Sequence, residues 1–160
     1  MLLRLGKNSK SANRRASVNT SLIGTYAHSL DEKGRMAVPS KLRIELGDPF
    51  YIACLSTKCL TAFPEEEWHK FAEKLSAIPQ TALEAQRAVR MIFSSACKCE
   101  PDKQGRVLLP QVLREKTGID KEVVVIGAYT RAEIWAKERW ADFEKEAGGD
   151  AMASLSEFGI

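Results

Sequence analysis

The sequence contains no run of about 18 consecutive apolar residues, so no segment reads as a membrane-spanning helix. Its opening, MLLRLGKNSKSANRRASVNT, turns polar after a short apolar tip and lacks the apolar stretch of a secretory signal. Histidine is scarce: His28 and His69 are the two in the chain, too few and too isolated to suggest catalysis. There is no P-loop, no G-x-G-x-x-G, no H-E-x-x-H and no nucleophile elbow, so no enzyme, cofactor or metal reading gains support. Cysteine is limited to Cys54, Cys59, Cys97 and Cys99, spaced as C-x4-C and C-x-C rather than as the C-x2-C pairs of a zinc ribbon. Each pair lies in strand-like sequence. That placement favours reduced core thiols in a cytoplasmic protein, with a metal or redox role as the alternative.

Acidic residues are missing from residues 1–20, which carry five basic ones: Arg4, Lys7, Lys10, Arg14 and Arg15. The net charge of +3 is therefore a basic extension on a slightly acidic body. Such an extension buries too little apolar surface to offset its ordering entropy and is expected to be disordered. It could grip phosphates without reading sequence. It could equally be an upstream start without function or an organelle targeting peptide. The composition of the whole chain, 44% hydrophobic and 28% charged, is that of a globular protein of one domain or two small ones.

What the sequence does have is one unusual turn written twice. DEKGRMAVPSKLR, from Asp31 to Arg43, returns as DKQGRVLLPQVLR, from Asp102 to Arg114. At an offset of 71, Asp31, Gly34, Arg35, Pro39, Leu42, Arg43 and Gly47 meet Asp102, Gly105, Arg106, Pro110, Leu113, Arg114 and Gly118. At an offset of 72, Phe63, Trp68 and Phe71 meet Trp135, Trp140 and Phe143. Each copy reads as hairpin, short helix, hairpin, longer helix. In the second copy, SSACKCEPD and RVLL flank the turn as hairpin arms. Pro110 suits the first helical turn, and Gly118 suits a left-handed helix end. EVVVIGAY and AEIWA make the next hairpin, and KERWADFEKEA the last helix. About 50–55 residues give a marginal core alone, so the copies are expected to pack together or against neighbouring chains.

The expected layout is a basic extension (1–20), a first module (21–78), a linking helix (79–93), a second module (94–147) and a mobile tail (148–160). The turn chemistry is explicit. Asp31 and Asp102 accept backbone N–H groups two residues on, and Gly34 and Gly105 supply positive φ. Arg35 and Arg106 are less readily assigned to structure. A turn requires no arginine, whereas an arginine held by a nearby carboxylate presents a fixed fork of donors that fits a phosphate or a guanine edge. Lys33 and Lys41 add charge to the first copy; Gln104 and Val112 replace them in the second, the weaker candidate reader. Arg43 and Arg114 have two readings, a DNA contact or a cation at a helix C-terminus. Arg87 and Arg90 read as a solvated helix face.

Together, IGTYAHSLDEKGRMAVPSKLR and CEPDKQGRVLLPQVLR resemble the MraZ family of bacterial regulators, over residues 22 to about 147 and LSEF near the end. The resemblance implies an α+β fold of two tandem swapped-hairpin, AbrB-like modules with short helices, forming a double-split β-barrel. It implies closed rings of subunits and sequence-specific binding of promoter DNA at short direct repeats upstream of the division and cell-wall cluster, with repression of the chain's own operon. The family's D-x-x-x-R arginine falls on Arg35 and Arg106. Members usually begin near Leu22, so residues 1–20 depart from the pattern. The implied setting is the cytoplasm and nucleoid. The alternatives are an antitoxin-like interaction protein or a nonspecific nucleoid-associated DNA binder. Antitoxins of that kind usually have one module and a long acidic tail, unlike this chain.

Overall fold

The structure, a computed structural model, describes residues 21–160. The basic extension lies outside the described residues. In the first copy, strands β1 (Thr25–Ser29) and β2 (Arg35–Ala37) flank the turn, followed by helix α1 (Ser40–Leu46), strands β3 (Phe50–Ala53) and β4 (Leu60–Pro64), and helix α2 (Glu65–Ser76). After α3 (Leu83–Ser95), the second copy gives β5 (Cys97–Cys99), β6 (Arg106–Leu108), α4 (Gln111–Thr117), β7 (Glu122–Gly127), β8 (Ala132–Ala136) and α5 (Lys137–Ala147). A 3-10 turn, Ser156–Phe158, lies in the tail.

Six strands form one antiparallel sheet in the order β1-β7-β8-β4-β3-β5, and β2 pairs with β6 in a second. The copies are thus woven together: β1 lies on β7 of the second copy, and β5 lies on β3 of the first. At the centre of the sheet Thr61 faces Glu133, its own counterpart at the offset of 72. At the centre of the small sheet Met36 faces Val107, its counterpart at the offset of 71. A pseudo-two-fold axis therefore runs through both pairs.

This arrangement departs from simple hairpins around the turn. Asp31 N–H donates to Arg35 C=O, and Asp102 N–H to Arg106 C=O, each at 2.9 Å. In the first copy one further bridge joins Leu30 to Met36, and beyond it the arms diverge, each gaining its full ladder on the other copy. The two end strands, β1 and β5, do not pair with each other. The helix expected between the modules runs Leu83–Ser95 rather than 79–93. Pro39 and Pro110 stand one place before their helices rather than inside the first turn. Gly118 ends α4 in the left-handed region, at φ 69°.

One core spans both copies. Leu42 and Leu113 from the short helices, Met36 and Val107, and Val38 and Leu109 are all buried in it, with Phe50, Ile52, Leu60 and Ile134 from the large sheet. The run β4 is buried at every residue, as expected of a central strand covered on both faces. On the sheet's outer side Ala53, Phe63 and Trp68 form a second cluster, with Tyr51, Phe71 and Ile92 packed against it. There α3 closes the cluster, with Phe93 edge-on to Trp68. Gln86 pins the helix by donating to the carbonyls of Ile78 and Pro79 at 2.9 and 3.3 Å. No helix among the described residues is long and apolar enough to cross a membrane.

Candidate nucleic-acid interface

The pseudo-axis brings the twice-written turns side by side. In the first, Asp31 Oδ1 accepts the N–H groups of Lys33 and Arg35 at 2.9 Å each, while Oδ2 accepts Arg35 Nε at 2.8 Å. In the second, Asp102 Oδ1 accepts from Gln104 and Arg106 at 2.9 Å each, and Oδ2 accepts Arg106 Nε at 3.0 Å. The aspartates thus cap both backbone and side chain, which is why D-x-x-x-R spacing recurs. These backbone N–H groups, Arg35 and Arg106 foremost, hold both carboxyls below the usual carboxylate range, and the guanidinium adds to the effect. Gly34 and Gly105 sit at φ 78° and 73°, where a side chain is strained.

The turns are locked to each other reciprocally. Val38 N–H donates to Gly105 C=O at 3.0 Å, and Leu109 N–H to Gly34 C=O at 2.9 Å. Arg114 lies over Gly34 and Arg43 over Gly105, each so close that a Cβ on the glycine would collide with the guanidinium. Arg114 Nε also donates to Leu109 C=O at 2.9 Å. Sequence reasoning weighed a helix end or a ligand for these two arginines and missed this clasp. The signal was available: both arginines repeat at the same offset as both glycines.

The symmetry breaks at the reader positions. Arg106 Nη1 reaches Asp31 Oδ2 at 3.6 Å, besides the bond from its Nε to Asp102. Arg35 has one carboxylate partner, through Nε, and among the described residues its two terminal nitrogens have none. Its fork is held at the base and open at the tip. Its side chain is 31% exposed, so a planar acceptor pair can reach it. Lys33, Lys41 and Arg43 are exposed on the same copy, near the turn pair. Leu108, opposite Arg35 in the small sheet, puts exposed apolar surface beside that arginine.

The remaining candidates are dispersed. Arg87 pairs with Glu84 along α3 at 3.3 Å, a solvated-face arrangement. All four cysteines are free thiols. Cys54 and Cys59 flank the β3–β4 turn rather than lying inside strands, and burial pushes the Cys59 thiol up to about 12. Among the described residues no cluster of three or more His, Cys, Asp or Glu side chains could hold a metal ion.

Comparison with known proteins agrees with this architecture. The family model described as "MraZ protein, putative antitoxin-like" matches twice, over residues 22–91 and 92–157. A protein of Caldicellulosiruptor bescii named Transcriptional regulator MraZ is 50% identical over 119 residues, covering 74% of this chain and 83% of the relative. Proteins with the same name from Carboxydothermus hydrogenoformans and Clostridium beijerinckii are 46% identical over 121 residues and 45% over 140. These matches cover 76% and 86% of this chain, and 85% and 99% of the relatives. With both halves matched in tandem and relatives this similar, the chain belongs to the MraZ family.

Proposed function

We propose that this protein is a sequence-specific DNA-binding transcription regulator that reads DNA with its paired turns. Arg35 is the principal reader, Arg106 a secondary one, and Lys33, Lys41 and Arg43 hold phosphates. The observation that carries this reading is the open Arg35 fork, fixed at its base by Asp31 and set beside exposed cations. Such a fork matches the O6 and N7 acceptors of guanine, while the lysines supply contacts that position without specifying. The name shared by the similar proteins supports regulation of transcription. No catalytic role enters the proposal.

The finer parts belong to the same proposal: repression of the chain's own operon, direct repeats as target, a nucleoid setting, a ring of subunits and a double-split barrel. Barrel closure is supported by the chain path. The turns carry β1 into β2 and β5 into β6, and β2 lies beside β6, joining the two ends of the large sheet. Ring assembly is supported by an inequality between the halves. The first aromatic cluster is capped by α3, whereas Trp135, Trp140 and Phe143 pack against one another, with Phe143 still 40% exposed. A second copy covering that face makes a head-to-tail contact, which closes into a ring when the rotation permits. A ring presents one modest reader per subunit to each repeat, and linkage multiplies the affinity.

The test is a mobility-shift titration of the full chain, and of the chain beginning at Ser21, on DNA from upstream of its own gene. Specific binding that survives removal of residues 1–20 is the expected result. Sequence-indifferent binding that disappears with those residues would favour a polyanion binder instead.

A further inference from the structure

The DNA-reading proposal leaves the thiols unused, and one pair of them is arranged as a site. We propose that Cys97 and Cys99 form a two-coordinate thiolate site for a soft monovalent metal ion of the copper(I) class. The two residues alternate along β5, an end strand of the sheet, and face Ile52 and Phe50 in the register with β3. Both side chains therefore leave the strand on one face, with their sulfurs 4.0 Å apart. Two metal–thiolate bonds of about 2.3 Å span that gap at an angle of about 120°, and they straighten with a separation increase of about 0.6 Å.

A disulfide fits the same pair poorly. It needs sulfurs about 2.05 Å apart and Cα atoms within about 6.8 Å. Alternate residues of a strand stand about 6.6 Å apart, at the far end of that range, and the sulfurs, now 4.0 Å apart, would have to close by about 2 Å, which a bridging ion does not require. Among the described residues no third ligand is at hand. Cys54 Sγ donates to Ser56 C=O at 3.1 Å, and Glu100 pairs with Lys98 at 3.7 Å from the alternate positions of the strand. Zinc is almost always four-coordinate in structural sites, so the site selects a soft ion content with two thiolates. A surface pocket of about 490 Å³, lined by Cys97, Cys99, Val107, Leu108 and Pro110, gives access. On binding, two S–H bonds break, both protons pass to solvent, and copper stays in the +1 state with no electron exchanged. Glu100 and Pro101 alone separate Cys99 from Asp102, which places the site next to the second turn.

The test is an anaerobic titration of the full chain with copper(I), using bicinchoninate as competing indicator, and a parallel titration with zinc. One copper(I) per chain is expected for wild type and for Cys54→Ala and Cys59→Ala. The apparent affinity is expected to fall at least tenfold in Cys97→Ala and in Cys99→Ala, with circular dichroism confirming that each variant is folded. Cys97 is the half-buried member, so its variant keeps the test valid if Cys99→Ala fails to fold. An intact copper–bicinchoninate complex with wild type would overturn the proposal. So would binding unchanged in Cys97→Ala, loss of binding in folded Cys54→Ala or Cys59→Ala, or equal affinity for zinc.

Discussion

Asp31 and Asp102 each hold two backbone N–H groups and one guanidinium, and their charged form is what the turns are built around. Because folding lowers both carboxyl pKa values, the turns contribute fully above the ordinary value of 3.8 and lose that contribution as pH falls through the lowered folded values. Urea midpoints measured from roughly pH 5 downward should therefore fall more steeply for wild type than for Asp31→Asn, which removes one titrating group. Parallel slopes would contradict this account. Gly105→Ala should cost about 1–2 kcal/mol from the left-handed backbone alone. Displacement of Arg43 adds to that cost, and urea unfolding measures the total. The aspartate and glycine roles were legible from residue type and spacing. The clasp of Arg43 and Arg114 was marked only by the offset that the arginines share with the glycines, because the crossing of each helix to the opposite turn leaves no local signal.

At the scale of elements, strand and helix order were readable from pattern, since β-branched runs and aromatic spacing are local signals. Strand partners were not, because β5 and β6 are each three residues long and either could have closed a local hairpin. Ladder completion on the other copy decided it, a non-local effect that leaves no local sequence mark. The unequal cover of the two aromatic clusters follows from element order: α3 follows α2 and packs on the first cluster, whereas among the described residues α5 is followed only by a 3-10 turn. If a second copy covers this face as proposed, Phe143→Ser should dissociate the assembly, at a smaller stability cost than loss of a fully buried aromatic, because Phe143 is 40% exposed. Light scattering after size exclusion gives the mass; an unchanged mass would remove this face from the subunit contact. Phe93→Ser should instead uncover Trp68 and lower the urea midpoint.

At the scale of the whole molecule, one pseudo-two-fold axis passes through Thr61–Glu133 and Met36–Val107 and sets the two turns together at the small sheet. The duplication was visible as an offset of 71 to 72 residues, yet the axis became apparent only when counterparts were found facing each other. At the turns the symmetry is broken by one longer ion pair, Arg106 Nη1 to Asp31 Oδ2 at 3.6 Å, which has no counterpart at Arg35. The central claim is that the open Arg35 fork reads base identity. The most direct measurement is fluorescence anisotropy of wild type and Arg35→Ala on the upstream DNA and on the same DNA shuffled, at two salt concentrations. The account predicts that Arg35→Ala loses about 1–3 kcal/mol of specific binding per contacted site while binding to shuffled DNA changes little. Arg35→Ala that keeps the wild-type ratio of specific to shuffled affinity, in a protein that assembles normally, would contradict it and leave the doubled turn with a structural role alone.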